Sequence, residues 1–395
     1  MKSKIKYLDG LRGLAAFIVI VDHFMLAFYP ALFSTLGKYS HTSGLIELKL
    51  SKTIFNILYD GNLSVCIFFI LSGYVLTYKF FLTHDYEYII SGASKRYIRL
   101  MVPILFTMSV AYIFMKLSLF NNSTVAKTTL AVNSVSQCWT FKPSFLGMIK
   151  QATYGVFIKN QYSYYVSLWT MTYEFLGSFL VYSIAAILGR LRNRYIFYII
   201  IVLLFIKTYY LAFILGMILS DLYNNYKHIK ILNSRLLGII FLIIGIFLGS
   251  YPLVSTDGTI YKFMTINFAD SIMFYHITGA FFIMLALLNL QSLKKLFSSK
   301  LFYFLGQISF PMYLSHLIVL CSFSGFVFMK LLRFLNYHVA FIITFALSVP
   351  LIMLISYFIH KYIDLGGVKL SSYVYKKFFK STFVVERNIN ADANK

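Results

Sequence analysis

The stretch LDGLRGLAAFIVIVDHF, residues 8–24, opens the first long apolar run of the chain. Within it, Arg12, Asp22 and His23 interrupt a segment that is otherwise apolar enough to lie in lipid. The whole chain is similarly apolar: 59% of the 395 residues are hydrophobic, only 12% are charged, and the mean hydropathy is +0.75. These values are far from those of a water-soluble domain. The sequence therefore predicts an integral membrane protein.

Apolar runs long enough to cross about 30 Å of hydrocarbon recur along the whole chain. Long runs separated by short basic clusters are typical of stacked transmembrane helices rather than of a β-barrel. We therefore expect an all-α, polytopic bundle of about ten helices, with the stretch 195–223 divided in two because Lys207 interrupts it. The predicted helices cover residues 11–30, 62–82, 100–120, 164–188, 195–208, 209–223, 236–253, 270–290, 302–329 and 338–361.

The positions of the basic residues set the expected orientation. Most of the 36 Lys and Arg residues fall in segments that a ten-helix count places on one side of the membrane. Because positive charge is enriched on the cytoplasmic side of membrane proteins, we expect both termini to be cytoplasmic. The basic residues lie between apolar runs rather than on one face, so the net charge of +23 does not indicate a nucleic-acid partner.

No linker or low-complexity segment divides the chain, so residues 1–395 are predicted to form a single membrane domain. Residues 364–395 hold too few apolar side chains for another domain and are expected to form a basic cytoplasmic tail. The longest predicted loop, 121–163, is expected on the outer side. Its aromatic residues favour either a cap over an outward cavity or packing at the membrane interface.

Several familiar kinds of site are not indicated. The three cysteines, Cys66, Cys138 and Cys321, lack the spacing of a disulfide framework or a zinc site, and no metal cofactor is expected. The sequence has no nucleophile elbow, P-loop or dinucleotide-binding motif. His360 and Asp364 have the H-x-x-x-D spacing of some soluble acyltransferases, which we interpret as a coincidence at the end of the last helix.

Ionisable side chains are costly inside transmembrane helices, so each one is a candidate functional group. Arg12 and His23 are eleven residues apart, which places both on one helix face about three turns apart. This strip leads from the cytoplasmic boundary to a level beyond the middle of the membrane. Glu174, His316 and Ser72 are expected at a similar depth on three other helices. Together these residues supply bases, an acid and a hydroxyl at one level.

Some alternatives stay open at this point. Asp22 either orients His23 or faces water, and the basic cluster around Arg96 and Arg99 suits either a topology anchor or a polyphosphate ligand. Intramembrane Arg, His and Glu residues also occur in transporters. The alternative function is therefore a multi-helix transporter or exporter of a small polar metabolite or glycan, although no evident repeat or pair of broken helices supports it.

Five short motifs make the chain similar to the acyltransferase-3 family of integral membrane O-acyltransferases. LDGLRGLAAFIVIVDHF resembles the family's first helix, in which ten residues separate an Arg from a His. SVCIFFILSGYVLT resembles its FF-x-LSG motif, and SKRYIRLMVPILF resembles the R-x-x-R element of its third helix. SLWTMTYEF resembles its W-x-L-x-x-E element, and ISFPMYLSH its S-Y-x-x-Y-L-x-H element. Met171, Phe310 and Asp364 depart mildly from the family pattern.

The resemblance implies transfer of an acyl group, usually acetyl, from cytoplasmic acyl-CoA to a hydroxyl. The implied acceptor is a carbohydrate, a glycolipid or a small molecule, and the implied location is the inner membrane of a bacterium. His23 is expected to act as general base on the acceptor hydroxyl or to form a transient acyl-imidazole, with Asp22 or Glu174 orienting it. The implied catalytic residues are His23, Glu174, Asp22 and His316, the implied contacts of acyl-CoA are Arg12, Arg96 and Arg99, and the implied substrate contacts are Ser72, Tyr74, Trp169 and Tyr313.

Overall fold

The computed structural model describes residues 5–131, 135, 137–226 and 234–380, and over these residues the chain is helical without β-strands. Short π-helical turns extend or join several of the α-helices. The α-helices are α1 (Lys6–Phe28), α2 (Ile46–Leu50), α3 (Gly61–Thr83), α4 (Glu87–Lys116), α5 (Asn122–Thr129), α6 (Phe145–Lys150), α7 (Val156–Ile158), α8 (Trp169–Leu188), α9 (Arg194–Phe205), α10 (Tyr210–Asn225), α11 (Arg235–Gly249), α12 (Ser271–Asn289), α13 (Gln291–Phe297), α14 (Lys300–Val319), α15 (Gly325–Leu331), α16 (Tyr337–Ile359) and α17 (Leu365–Tyr375).

The all-α prediction is confirmed, and every predicted transmembrane segment contains a helix. In the described part of the chain, 7 helices are long and apolar enough to span a membrane. The other three predicted spans correspond to α9, α10 and α11, which have 12, 16 and 15 residues. The break between α9 and α10 includes Lys207, as predicted. The orientation of the termini relative to the membrane stays a prediction.

At two places the helices extend well beyond the predicted spans. α4 begins at Glu87 rather than near residue 100, because its first turns are polar and an apolar run marks only the part of a helix that lies in lipid. Arg96 and Arg99 are therefore inside a continuous helix. The segment after 364, predicted as a tail, is helical up to residue 380 in the described part. It packs along α4, where the Tyr375 hydroxyl donates to Glu87 Oε1 over 2.6 Å.

The predicted outer loop, 121–163, contains α5, α6 and α7 and packs against the helix bundle. Trp139 is buried and stacks on Phe120, with ring centroids 4.0 Å apart. Phe157 is also buried and meets Phe175 of α8 edge to face at 5.2 Å. Trp139 and Phe157 therefore act as packing groups for the bundle, whereas Phe141 and Phe145 are exposed.

Glycines set the closest helix crossings. A Cβ added at Gly13 of α1 would lie 2.4 Å from the backbone N of Gly306 in α14. A Cβ added at Gly216 of α10 would lie 2.1 Å from the carbonyl O of Ile70 in α3. In a membrane, helix association depends on such close backbone contact, because lipid supplies no hydrophobic force between helices. These crossings fix α1 against α14 and α3 against α10.

Candidate active site

Two histidines meet where α1 packs against α14. The His23 and His316 rings lie edge to face, with centroids 4.9 Å apart and planes inclined by 65°. His316 is completely buried, whereas about a fifth of the His23 side chain, 18%, is exposed. His23 is therefore the imidazole of this pair that is open to a small molecule.

The hydrogen bonds of both rings determine which nitrogen is basic. His23 Nδ1 lies 2.9 Å from the Val19 carbonyl, and His316 Nδ1 lies 3.1 Å from the Met312 carbonyl. Because a carbonyl can only accept, each Nδ1 carries the proton, and each neutral ring keeps a lone pair on Nε2. Within the described residues, the buried Nε2 of His316 has no hydrogen-bond partner.

The Asp22 carboxyl group lies beside the His23 ring. Asp22 Oδ2 lies 3.3 Å from His23 Nδ1, and Asp22 Oδ1 accepts a 3.2 Å hydrogen bond from the backbone N–H of Gly61 at the start of α3. Of the two expectations for Asp22, the structure therefore favours orientation of His23. A carboxylate near Nδ1–H also stabilises the ring when Nε2 takes a proton.

Glu174 lies in a different network. Its Oε1 accepts a 2.7 Å hydrogen bond from the Ser72 hydroxyl and forms an ion pair with the Arg96 guanidinium. Arg96 Nε also donates to the Ser178 hydroxyl over 2.7 Å. Glu174 therefore contacts Ser72 and Arg96, and its predicted role in orienting His23 stays a prediction.

Three arginines, one from the first half of α1 and two from the first half of α4, lie close together. Arg12 forms an ion pair with Asp9, at 3.3 Å, and keeps 26% of its side chain exposed. Arg99 is exposed, and its charged neighbours include Arg96, Arg12 and Asp364. In the part of the chain that the structure describes, no hydrogen bond or ion pair occupies the Arg99 guanidinium. Because Asp9 and Glu174 pair with the other two arginines, the Arg99 guanidinium is the one of the three that is left for an anion.

Asp364 connects this cluster to the C-terminal helices. Its Oδ2 lies 2.8 Å from His360 Nδ1, so the H-x-x-x-D spacing brings the two side chains into contact. This contact follows from the helical geometry of residues four apart. Because the pair lies near Arg99 and not near His23 or His316, we assign it no catalytic role.

The remaining predicted substrate contacts lie in different places: Tyr313 is beside the imidazole pair, whereas Trp169 and Tyr74 pack against other aromatic residues. Tyr313 lies beside the imidazole pair, with its ring centroid 6.0 Å from that of His316. Its hydroxyl is hydrogen-bonded to the Thr170 hydroxyl at 2.7 Å. Trp169 lies at the start of α8 and packs on Tyr209, with centroids 5.5 Å apart.

Tyr74 is buried, and its titratable neighbours are other tyrosines rather than either imidazole. It stacks on Tyr78, with ring centroids 5.7 Å apart. The structure therefore places Tyr74 in the packing between α3 and α10. Its predicted role as a substrate contact gains no support from this position.

Sequence reasoning missed Asp60, which is completely buried. Its Oδ1 caps α3 by accepting from the N–H of Leu63 over 2.7 Å, and its Oδ2 lies 3.3 Å from His276 Nε2. His276 Nε2 also lies 2.9 Å from the Tyr251 carbonyl. An Asp directly before a long apolar run is a helix-cap signal, which could have identified the cap but not the distant histidine.

No three His, Cys, Asp or Glu side chains in the described ranges are close enough together to hold a metal ion. The site contains an accessible imidazole base, His23, and a separate set of arginines, Arg12, Arg96 and Arg99, of a type suited to phosphate. A base of this kind can take the proton of a hydroxyl, and arginines bind phosphate through paired N–H donors.

Comparison with known protein families identifies the family of this chain. The family model Acyl_transf_3, described as an acyltransferase domain, matches residues 5–357. Neither the curated proteins nor the solved structures match this chain.

Proposed function

The chain belongs to the acyltransferase-3 family, and from that premise we propose that it moves an acetyl group from cytoplasmic acetyl-CoA to a hydroxyl of a carbohydrate. The family and the apolar helices together make it a membrane acyltransferase. What we propose beyond this is the identity of the donor, of the transferred acyl group and of the acceptor. The observation that carries them is the accessible His23, whose Nε2 is the basic nitrogen.

We assign donor binding to Arg12, Arg96 and Arg99. Arg99 is the most exposed residue of the three, and its charged neighbours are Arg96, Arg12 and Asp364. The diphosphate and 3′-phosphate of CoA offer oxyanions to these guanidinium groups, and paired N–H donors favour such oxyanions. The Glu174 ion pair keeps Arg96 extended toward the cluster, so we assign Glu174 and Ser72 a positioning role.

We assign proton transfer to His23. Its Nε2 takes the proton of the acceptor hydroxyl as the oxygen attacks the thioester carbonyl, and Asp22 stabilises the resulting imidazolium. Collapse of the tetrahedral intermediate breaks the C–S bond, and the proton on His23 passes to the departing thiolate. In a route through an acyl-imidazole, His23 Nε2 attacks the thioester carbonyl, the C–S bond breaks and CoA leaves as a thiolate. The acceptor oxygen then attacks the acyl carbon, the N–acyl bond breaks, and the proton of the acceptor hydroxyl passes to the thiolate.

The first experiment incubates the purified full chain with acetyl-CoA carrying a radiolabelled acetyl group. We expect release of free CoA, because water can replace the acceptor slowly, and loss of that release in His23→Gln. Radiolabel that stays on the denatured protein would identify the acyl-imidazole route. Intact acetyl-CoA after incubation with a correctly inserted protein would contradict the proposal.

The second experiment concerns the acceptor, for which we propose a cell-surface or lipid-linked glycan at a bacterial inner membrane. Glycans of a deletion strain and of the complemented strain are compared by mass spectrometry. We expect the deletion strain to lose signals that differ by the mass of one acetyl group. Restoration by the wild-type gene but not by the His23→Gln gene would link the loss to this site.

A further inference from the structure

One face of α4 packs against one face of α8. The face of α4 is formed by residues four and three positions apart, Gly92, Arg96 and Arg99. The face of α8 is formed by residues four positions apart, Glu174, Ser178 and Tyr182. Arg96 binds both Glu174 and Ser178. The two faces therefore contact each other, and Tyr182 lies opposite Gly92 at one end of the contact.

The Tyr182 hydroxyl lies against the backbone of α4. A Cβ added at Gly92 would lie 2.3 Å from the hydroxyl oxygen and 2.7 Å from the ring carbon Cζ, so the phenol occupies space that a larger residue would fill. Gly92 is one turn and a half after the start of α4 at Glu87, roughly 8 Å along the helix. The phenol is therefore near the end of α4 that we predict to be cytoplasmic, the side from which the proposed donor enters.

The Tyr182 hydroxyl has no hydrogen-bond partner within the described ranges, although Tyr182 is only 4% exposed. Its oxygen is not one of the polar atoms that neighbouring residues seal completely, in contrast to Nε2 of His316. A buried hydroxyl without a partner is costly, and phenylalanine would fill the same space without that cost. The hydroxyl therefore indicates a ligand atom that accepts its hydrogen bond.

The charges around the phenol define the chemistry of that ligand atom. The charged groups that act on Tyr182 include the guanidinium groups of Arg96 and Arg99 and the carboxylate of Glu174. A phenol can donate one hydrogen bond, and a guanidinium donates up to five and accepts none. Hydrogen bonds from such donors are strongest when the acceptor is an anionic oxygen, as in a phosphate.

The carboxylates nearby are engaged elsewhere. Glu174 is paired with Arg96, and the Asp364 carboxylate contacts the histidine four residues before it at 2.8 Å. The Tyr182 hydroxyl and the Arg99 guanidinium are therefore neighbouring donors to which no described residue supplies an acceptor. One phosphate group has enough oxygens to accept hydrogen bonds from both.

We propose that Tyr182 is a further donor-binding residue, whose hydroxyl donates a hydrogen bond to a phosphate oxygen of acyl-CoA beside Arg99. The assignment rests on the proposed function, because that function supplies the phosphate-bearing donor. Gly92 is a positioning residue that acts through Tyr182, since it leaves the space in which the phenol lies.

The test compares acetyl-CoA with S-acetylpantetheine, which carries the same thioester but no phosphate. With the full chain in detergent, titration calorimetry measures binding of acetyl-CoA, and a thiol reagent measures release of CoA or pantetheine. We expect Tyr182→Phe to bind acetyl-CoA about tenfold more weakly, because a buried hydrogen bond to a charged group is lost. The rate at saturating acetyl-CoA should stay within about twofold of wild type, and kcat/KM for S-acetylpantetheine should not change.

A second variant moves the same hydroxyl without removing it. In Gly92→Ala the new methyl group meets the end of a flexible side chain rather than a helix backbone, so the fold should persist. We expect a similar loss of acetyl-CoA affinity, and no further loss when Gly92→Ala is added to Tyr182→Phe, because both changes remove one hydrogen bond. The matched control is Tyr173→Phe, on the same helix, whose ring packs on Trp169 and Tyr209. Its affinity for acetyl-CoA should equal that of wild type.

The outcomes separate this inference from the proposed function. Equal affinity of wild type and Tyr182→Phe for acetyl-CoA, or an equal loss with S-acetylpantetheine, would overturn the role of Tyr182 and leave the proposed transfer standing. A wild-type protein that neither binds nor cleaves acetyl-CoA would contradict the proposed function and this inference with it. A loss confined to the donor that carries phosphate would support the hydrogen bond from Tyr182.

Discussion

His23 and His316 meet edge to face at 4.9 Å although they lie on the first helix of the chain and on α14. Two neutral imidazoles this close can share one added proton but not two, because like charges at such a distance repel strongly. The exposed ring, His23, is therefore the one that we expect to exchange a proton with substrate.

The exchange of His23 for glutamine should remove the base while keeping a side chain of similar size. We expect acetyl transfer to fall by about 10²–10⁴-fold, as is usual when a general base is lost. Donor affinity should change less than threefold, because the arginines are intact. Stopped assays of CoA release and equilibrium binding of acetyl-CoA measure the two effects separately.

The control for that experiment is His41→Gln, which changes a histidine outside the pair whose Nε2 lies 2.9 Å from the Thr129 carbonyl. Its transfer rate should match wild type. A His23→Gln protein that is inserted normally and transfers at the wild-type rate would exclude His23 as the base.

The exchange of Arg99 for alanine should act on the donor. Charge-assisted hydrogen bonds contribute about 1.5–3 kcal/mol, so we expect acetyl-CoA to bind about 10–100-fold more weakly. Saturating acetyl-CoA should restore most of the rate. Isothermal titration and the dependence of rate on acetyl-CoA concentration test this, with Arg333→Ala, an exposed arginine elsewhere, as the control. Equal affinity in both variants would contradict donor binding by Arg99.

The Arg96–Glu174 ion pair should be important for stability. Both side chains are largely buried, at 8% and 14% exposure, and removal of one member leaves an unpaired charge. Breaking a buried pair typically costs about 3–5 kcal/mol. We expect Glu174→Gln to lower the melting temperature clearly in detergent, and Arg96→Gln combined with Glu174→Gln to lose less than the sum of the single changes. Additive losses would show that the two side chains do not depend on each other.

The exchange of Gly13 for leucine should separate α1 from α14. Even a Cβ at this position would lie 2.4 Å from the Gly306 backbone N, so the helices must move apart. His23 and His316 would then lose contact, and we expect both lower thermal stability and transfer reduced by at least about tenfold.

Gly366→Ala is the matched control for this change, because a Cβ there meets nothing within 4 Å in α17. Alanine is the better helix former, so this variant should be as stable as wild type or slightly more stable. Full activity in Gly13→Leu would show that the glycine crossing is not required for the imidazole pair.

Much of the fold could be predicted because lipid imposes a simple rule on the chain. Backbone polar groups in a bilayer must bond within their own segment, so each long apolar run becomes a helix. The run from 195 to 223 could be divided because Lys207, an ionisable side chain that is costly in lipid, interrupts it. The start of α4 at Glu87 could not be predicted in this way, since its polar turns are stabilised by contacts outside the apolar run.

The site was predictable only in part. The strip from Arg12 to His23 follows from helical periodicity, which the order of residues determines by itself. The choice of partners does not follow, because Glu174 joins Arg96 rather than His23, and Asp22 reaches the start of α3. Those distances depend on how closely glycines let two helices approach.

The sequence by itself determined that this protein is a helical membrane acyltransferase with an arginine and a histidine on one face of its first helix. Only the tertiary structure decided that His316 is the neighbour of His23 and that Asp60 pairs with His276. The physical reason is that periodicity along a helix is local, whereas contacts between helices depend on packing between segments that are distant in the chain.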